Sequence, residues 1–273
     1  MAQWQGPWAL EVAVVDETNL AYEERGTGLP VVLLHGFPFC RDLFAPVMPA
    51  LAEVGRVVAV DLPGFGASPP LSRGFSLADM AQEVLRLAGA LELPPFVVVG
   101  HSMGGYVALE MAAQVPETLA GLVLLASHPR ADTPEAKARR QEGVRLIRSG
   151  QRREFLEGFL ARLISPWTRE HAPRIGEEVR LMAEAVPDEV LVGCLHAMAE
   201  RRDHTETLRG LTVPVAVVVG ETDALIPMDL ARATAEVACG ELVVIPEAGH
   251  LPMLEKPIAT ADALARFVRG ASG

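Results

Sequence analysis

Three side chains, far apart along the chain, are of the types that together move an acyl group. Ser102 lies in VVVGHSMGGYVALEMA (97–112), Asp223 ends VVVGETD (217–223) and His250 ends ELVVIPEAGH (241–250). A serine hydroxyl is a weak nucleophile by itself. It becomes competent when a base takes its proton, an acid orients that base, and backbone N–H groups hold the oxyanion that forms. Seven histidines could supply the base, and His250 stands out because it follows directly on the last strand-like run. Asp223 likewise follows a run of valines. Asp132, Glu221 and Asp229 remain rivals for the acid.

The surroundings of Ser102 decide what it is for. A strand pattern runs up to Val99 and a helix pattern starts at Met103, with Val107, Ala108 and Met111 on one face. Ser102 could simply cap that helix. A cap does not account for Gly100, Gly104 and Gly105, each costly in backbone entropy. A bare G-x-S-x-G is weak, since at about 7% usage per residue type roughly one chain in ten of this length carries one by chance. A dinucleotide loop would need glycine at Ser102 and a carboxylate closing the next strand, which instead ends Ala126-Ser127-His128. A phosphate-binding loop would need Gly-Lys-Ser or Gly-Lys-Thr, and the chain has neither. The remaining reading is a nucleophile elbow, a turn so tight that its neighbours must be small. The oxyanion donors are then the N–H of Met103 and that of Phe37, in the loop after PVVLLHG (30–36). Pro38 has no N–H to give.

Elements must bring these residues together. Runs 9–16 and 18–25 read as an opening hairpin. Strand patterns then follow at 30–36, 56–61, 96–100, 121–127, 213–223 and from 241. Helix patterns fall near 44–54, at 76–92 with Ser76 as cap, from Ser102 to before Pro116, at 228–238 and near 258–269. Strand and helix in alternation mean a mostly parallel sheet covered on both faces. Every candidate residue then sits at the carboxyl ends of strands, where open parallel sheets bind ligands. The alternation fails between residues 128 and about 209, which contain only helix-length amphipathic segments. An insertion of about eighty residues is usually a binding feature.

Composition removes other function classes. A net charge of −11 speaks against nucleic acid and anionic membranes as partners. No apolar run has the length of a membrane span, and MAQWQGPWALEV lacks the basic and apolar regions of a signal peptide. Cys40, Cys194 and Cys239 form no C-x-x-C pair, so free thiols in the cytoplasm are expected. No residues have metal-ligand spacing. A chain of 273 residues can bury roughly 70–75% of its unfolded surface without disulfides or metals.

HGFP (35–38), DLPGFGAS (61–68), GHSMGG (100–105), GETDALIP (220–227) and AGHLPMLEKP (248–257) each resemble a motif of the α/β-hydrolase family, in order and at ordinary spacing. The resemblance covers essentially the whole chain and points to capped serine esterases. It implies a doubly wound, mostly parallel eight-stranded α/β sheet, a helical cap between strands 6 and 7, and no cofactor. Core residues are then 1–127 and 210–273, and the cap is 128–209. The order Ser102, Asp223, His250 agrees with the family order.

The expected activity is cleavage of small or medium apolar carboxylic esters through an acyl-enzyme. Phe155, Phe159 and Trp167, on apolar faces of cap helices, are the expected substrate-binding residues. Arg152 and Arg153 are expected on the wet face, so an anionic substrate is not favoured. Enol-lactonase, C–C bond hydrolase and cofactor-free perhydrolase or haloperoxidase chemistry stay open within the fold. A receptor or regulator that keeps the triad with little turnover stays open outside catalysis. His35 is expected to hold the oxyanion loop, and His101 to shape the elbow and touch substrate at its edge. Asp61, Pro63, Gly64 and Gly66 are expected to form a turn beside the site.

Overall fold

In a computed structural model the described residues are 13–14, 19–72 and 74–272. Eight strands form one sheet in the order β1-β2-β4-β3-β5-β6-β7-β8. The strands are β1 (Ala13–Val14), β2 (Ala21–Arg25), β3 (Pro30–Leu34), β4 (Arg56–Val60), β5 (Phe96–His101), β6 (Leu119–Leu125), β7 (Val215–Gly220) and β8 (Glu241–Ile245). The β1–β2 and β2–β4 pairs are antiparallel, and all others are parallel. Of the expected opening hairpin, β1 and β2 pair as Ala13↔Tyr22 and Val14↔Ala21; the rest of 9–16 and residue 18 lie outside the described residues.

The valine-rich runs are central because both their faces are covered. Every residue of β3, β5 and β7 is buried, the condition that gives continuous apolar strands instead of alternating ones. The helices of the core are α1 (Met48–Ala52), α2 (Leu77–Ala90), α3 (Met103–Gln114), α10 (Met228–Val237), the short α11 (Pro252–Glu255) and α12 (Pro257–Ala271). Helix α1 packs on α12 and α2 packs on α3, forming two separate groups against the sheet. The Ser76 hydroxyl accepts the Asp79 N–H at 3.0 Å and caps α2, as its position predicts. The helix expected over 44–54 is shorter. A 3-10 turn at Arg41–Phe44 precedes α1, which starts at Met48 with Pro49 in its first turn, where no N–H is required.

Between β6 and β7 the described chain contains no strand. It folds as α4 (Pro134–Arg148), α5 (Arg152–Leu160), α6 (Pro166–His171), α7 (Arg174–Glu184), α8 (Asp188–Ala199) and α9 (Thr205–Arg209). Helix α4 packs on α8 and α5, and α9 returns the chain onto α3. Among the described residues, no helix is long and apolar enough to cross a membrane.

Strand order reverses at β3, which has β4 on one side and β5 on the other. Loops leaving β3 and β5 therefore diverge from a shared crevice at their carboxyl ends. Phe37 and Ser102 stand on these two loops.

Candidate active site

The turn at Ser102 is as tight as its glycines imply. Ser102 has φ 50° and ψ −113°, in the left-handed half of backbone space that L-residues avoid. A Cβ on Gly104 would lie 2.1 Å from the Leu34 carbonyl oxygen, and one on Gly100 would lie 2.5 Å from the Gly105 Cα. Two backbone bonds and one from a side chain pin the turn. The Ser102 N–H donates to the Leu125 carbonyl at 3.0 Å, and the Ser102 carbonyl accepts from Gly105 N–H at 3.0 Å and from the Ser127 hydroxyl at 2.8 Å. This leaves the Ser102 hydroxyl projecting beyond the sheet, half-exposed.

The three expected residues meet there. The Ser102 hydroxyl lies 3.0 Å from His250 Nε2, and His250 Nδ1 lies 2.8 Å from Asp223 Oδ2. A carboxylate only accepts, so Nδ1 carries the ring proton and Nε2 offers its lone pair to the hydroxyl. The second Asp223 oxygen accepts the N–H groups of Leu225 (2.8 Å) and Ile226 (3.0 Å). Asp132 takes no part, because its carboxylate is occupied by Arg140 and Arg201. Glu221 accepts the N–H of Glu247, and Asp229 lies in the first turn of α10. The N–H groups of Phe37 and Met103 have no acceptor among the described residues, although both residues are buried. Two such donors beside a serine hydroxyl are what an oxyanion would need.

The surrounding residues set the frame. His35 Nδ1 donates to the Gly36 carbonyl at 3.0 Å while Nε2 accepts the Leu62 N–H at 2.9 Å, which ties the Phe37 loop to the segment after β4. Burial lowers its pKa to about 4, so the ring is neutral. His101 is fully buried and donates from Nε2 to the His250 carbonyl at 2.9 Å. It does not line the cavity, so the expected edge contact with substrate is absent. Asp61 accepts the N–H groups of Arg41 and Ala67 and pairs with the Arg41 guanidinium, closing the turn that holds Gly64 and Gly66.

Sequence reasoning passed over Glu255. Its buried carboxylate accepts the N–H groups of Ser165 (2.8 Å), Gly249 (2.9 Å) and Leu251 (3.1 Å). His250 itself donates its N–H to the Leu163 carbonyl at 2.7 Å. One charged group thus fixes both flanks of His250 and joins them to the inserted segment.

A cavity of about 670 Å³ opens over Ser102 and His250, within the size range of small-molecule sites. Phe155 and Phe159 line it, as their helix face suggests, and pack on Phe37 with ring centroids 6.4 and 5.6 Å away. Trp167 does not line it. It stacks on His171 at 4.5 Å beneath the Lys256 ammonium, 3.3 Å from its ring centre, on another side of the insertion. Trp167 is half-buried there, on a surface that periodicity alone cannot distinguish from the cavity. The polar wall of the cavity holds Tyr106, His128, Asp132, Arg140 and Arg201. Among the described residues, no group of three or more His, Cys, Asp or Glu could hold a metal ion.

Known proteins share this architecture. A pimeloyl-[acyl-carrier protein] methyl ester esterase from Xanthomonas axonopodis pv. citri is 33% identical over 89% of this chain and 96% of its own length. A solved thermophilic esterase from Thermogutta terrifontis, with malate bound, is 34% identical with a TM-score of 0.91, covering 97% of this chain and 100% of the other. The enol-lactonase from Burkholderia xenovorans LB400 has a TM-score of 0.85 at 22% identity over 94% of this chain and 99% of its own, and shares the fold. The model of the alpha/beta hydrolase family matches residues 31–263. The chain belongs to the alpha/beta hydrolase family.

Proposed function

We propose that the protein is a serine hydrolase that cleaves small or medium carboxylic esters through an acyl-enzyme. The observation that carries this reading is the line Ser102 Oγ, His250 Nε2, His250 Nδ1, Asp223 Oδ2, with links of 3.0 and 2.8 Å. Ser102 attacks the ester carbonyl as His250 takes its proton. The developing oxyanion is received by the N–H groups of Phe37 and Met103. The alcohol leaves with the proton held on His250 Nε2, and water then repeats the sequence on the acyl-enzyme. Asp223 keeps the imidazole in the required tautomer.

In this reading residues 128–209 are a cap over a core of 1–127 and 210–273, and Phe155 and Phe159 select apolar acyl groups. The partner is a small-molecule ester. Cys40, Cys194 and Cys239 are unpaired, two of them buried, which favours a reducing compartment such as the cytoplasm.

Release of p-nitrophenol from p-nitrophenyl butyrate tests the proposal. Ser102→Ala should lower kcat by about 10⁴-fold or more while the circular dichroism spectrum stays unchanged. A fluorophosphonate should label the wild type at Ser102 and leave the variant unlabelled. Wild-type rates in Ser102→Ala would overturn the mechanism, and a wild type with no turnover of any ester would favour a receptor or regulator.

A further inference from the structure

The polar wall of the cavity is short of negative charge, although Arg201 also donates to the Arg130 and Met198 carbonyls at 3.1 and 2.9 Å. The Asp132 carboxylate is shared by two guanidiniums, those of Arg140 and Arg201, whose side chains are 19% and 4% exposed. Two cations against one carboxylate leave one positive charge in this cluster. Around it Arg130, Arg139 and Arg162 also line the cavity against Glu142 and Glu154, so the lining is cationic on balance. Nη1 of Arg140 finds only the Met198 thioether sulfur, 3.3 Å away, a weak acceptor for a cationic donor.

His128 adds to the shortage. Its Nδ1 faces the Arg130 N–H at 3.2 Å and its Nε2 faces Nη2 of Arg201 at 3.4 Å. A neutral imidazole has one lone pair, so it can accept from only one of these donors. Burial and the adjacent Arg201 lower the His128 pKa to about 3, so the ring brings no charge of its own. The Arg201 guanidinium also lies over the Tyr106 ring, 4.1 Å from its centre, one helical turn along α3 from Ser102.

A salt bridge that only joined this segment to α8 would need one arginine. The second leaves a partly desolvated cation, which costs free energy unless an anion completes it. Arg152 and Arg153, the basis for expecting an uncharged substrate, do lie at the surface in ion pairs with Asp188 and Glu157. Arg140 and Arg201 face the cavity instead.

We propose that this wall binds a carboxylate carried by the ester substrate itself, so that the preferred substrates are half-esters of short dicarboxylic acids. The methylene chain lies along Phe37, Phe155 and Phe159, and the free carboxylate completes the pair of Arg140 and Arg201. A carboxylate matches the residual charge of the Arg140–Asp132–Arg201 cluster and the planar fork of a guanidinium. The inference rests on the esterase reading and adds a charged end to its apolar acyl chain.

The test compares monomethyl succinate, glutarate and adipate with methyl propionate, butyrate and valerate, following methanol release. At least one half-ester should exceed its uncharged counterpart by about ten-fold in kcat/KM, mainly through KM, as expected of a charge-assisted contact. In Arg140→Met, Asp132 keeps Arg201 and the charges cancel, so that ratio should fall to about one. Should that variant not fold, the wild type still decides the matter. Glutarate should inhibit methyl butyrate hydrolysis competitively, and less so as salt rises from about 50 to about 500 mM. Uncharged esters equal to or better than every half-ester, with no inhibition by glutarate, would overturn the carboxylate site and leave the esterase reading standing. Turnover of none of the six esters would count against the esterase reading, and calorimetric titration with glutarate would then decide the site by itself, heat of binding supporting it and its absence overturning it.

Discussion

The carboxyl edge of the sheet and the polar wall of the cavity position their groups by opposite means. At the edge, backbone does the work. Ser102 is held in a conformation that only its tight, glycine-flanked turn enforces, and Asp223 and His250 leave neighbouring strands paired as Gly220↔Ile245. At the wall, side chains position one another. Asp132 and Arg201, 69 residues apart, meet only because α8 returns beside the exit of β6. Local geometry of the first kind tolerates no added atom, whereas the second kind hinges on Asp132, the one carboxylate that two guanidiniums share.

The largest expected effect tests whether the edge alone carries the chemistry. Asp223→Asn should cut kcat for p-nitrophenyl butyrate by about 10⁴-fold, because the imidazole loses the partner that fixes its tautomer. Asp132→Asn, whose partners are arginines, should cost far less. The reverse ranking would transfer the acid's role to the wall and dissolve the contrast.

A second comparison is steric and is read in stability. Gly104→Ala places a methyl against the Leu34 and His35 carbonyls and should destabilise by about 3 kcal/mol in urea unfolding at pH 7. Gly89→Ala, in α2 with nothing within 4 Å of the new atom, should instead gain up to about 1 kcal/mol. If both glycines behaved alike, the elbow would not be the tight point described.

His35 gives an acid limb. Its pKa is about 4 in the fold against 6.5 in the open chain, so between those values the unfolded chain binds the extra proton. Stability is then lost as pH falls from about 6.5 towards 4, by up to about 3 kcal/mol from this residue. His128, lowered to about 3, acts in the same direction, and Asp61, raised by burial, opposes them at the acid end. Unfolding curves of wild type and His35→Asn at pH 7 and pH 4.5 should show a smaller loss in the variant.

The smallest change tests Glu255. In Glu255→Gln one amide N–H₂ must face a backbone N–H. The resulting slack at His250 should lower kcat by about 10- to 100-fold, with a smaller effect on KM. An unchanged kcat would mean that the Leu163 and His101 bonds suffice to place the ring.

Much of the edge was legible in the sequence because its causes are local. A buried strand in a parallel sheet must be apolar on both faces, and the close approach of Leu34 to Gly104 excludes any residue with a side chain. Those constraints mark Val97–Val99, Gly100 and Gly104 around Ser102 wherever they occur. Arg140 and Arg201 carry no such mark, since an arginine on an amphipathic helix has the same pattern whether it faces water or a cavity. Trp167 shows the converse: an apolar helical position predicts packing, but not whether it packs on the cavity or, as here, on His171 and Lys256. Glu255 reads as an ordinary charge between Leu254 and Lys256, and only the three-dimensional path of Ser165 turns it into an acceptor for three amides.

The bonds around Glu255 have a mechanical consequence. Ser165 belongs to the insertion, Gly249 and Leu251 to the loop of His250, and the Leu163 carbonyl holds the His250 amide. The stretch 163–165 cannot swing outward without stripping the supports of His250, so it must move as one unit with the core. Breathing that admits or releases a ligand then falls to residues 133–160, which touch the cavity but share none of these bonds. In amide hydrogen exchange, Ser165 and His250 should open together and late, and the amides of α4 and α5 should open independently and earlier.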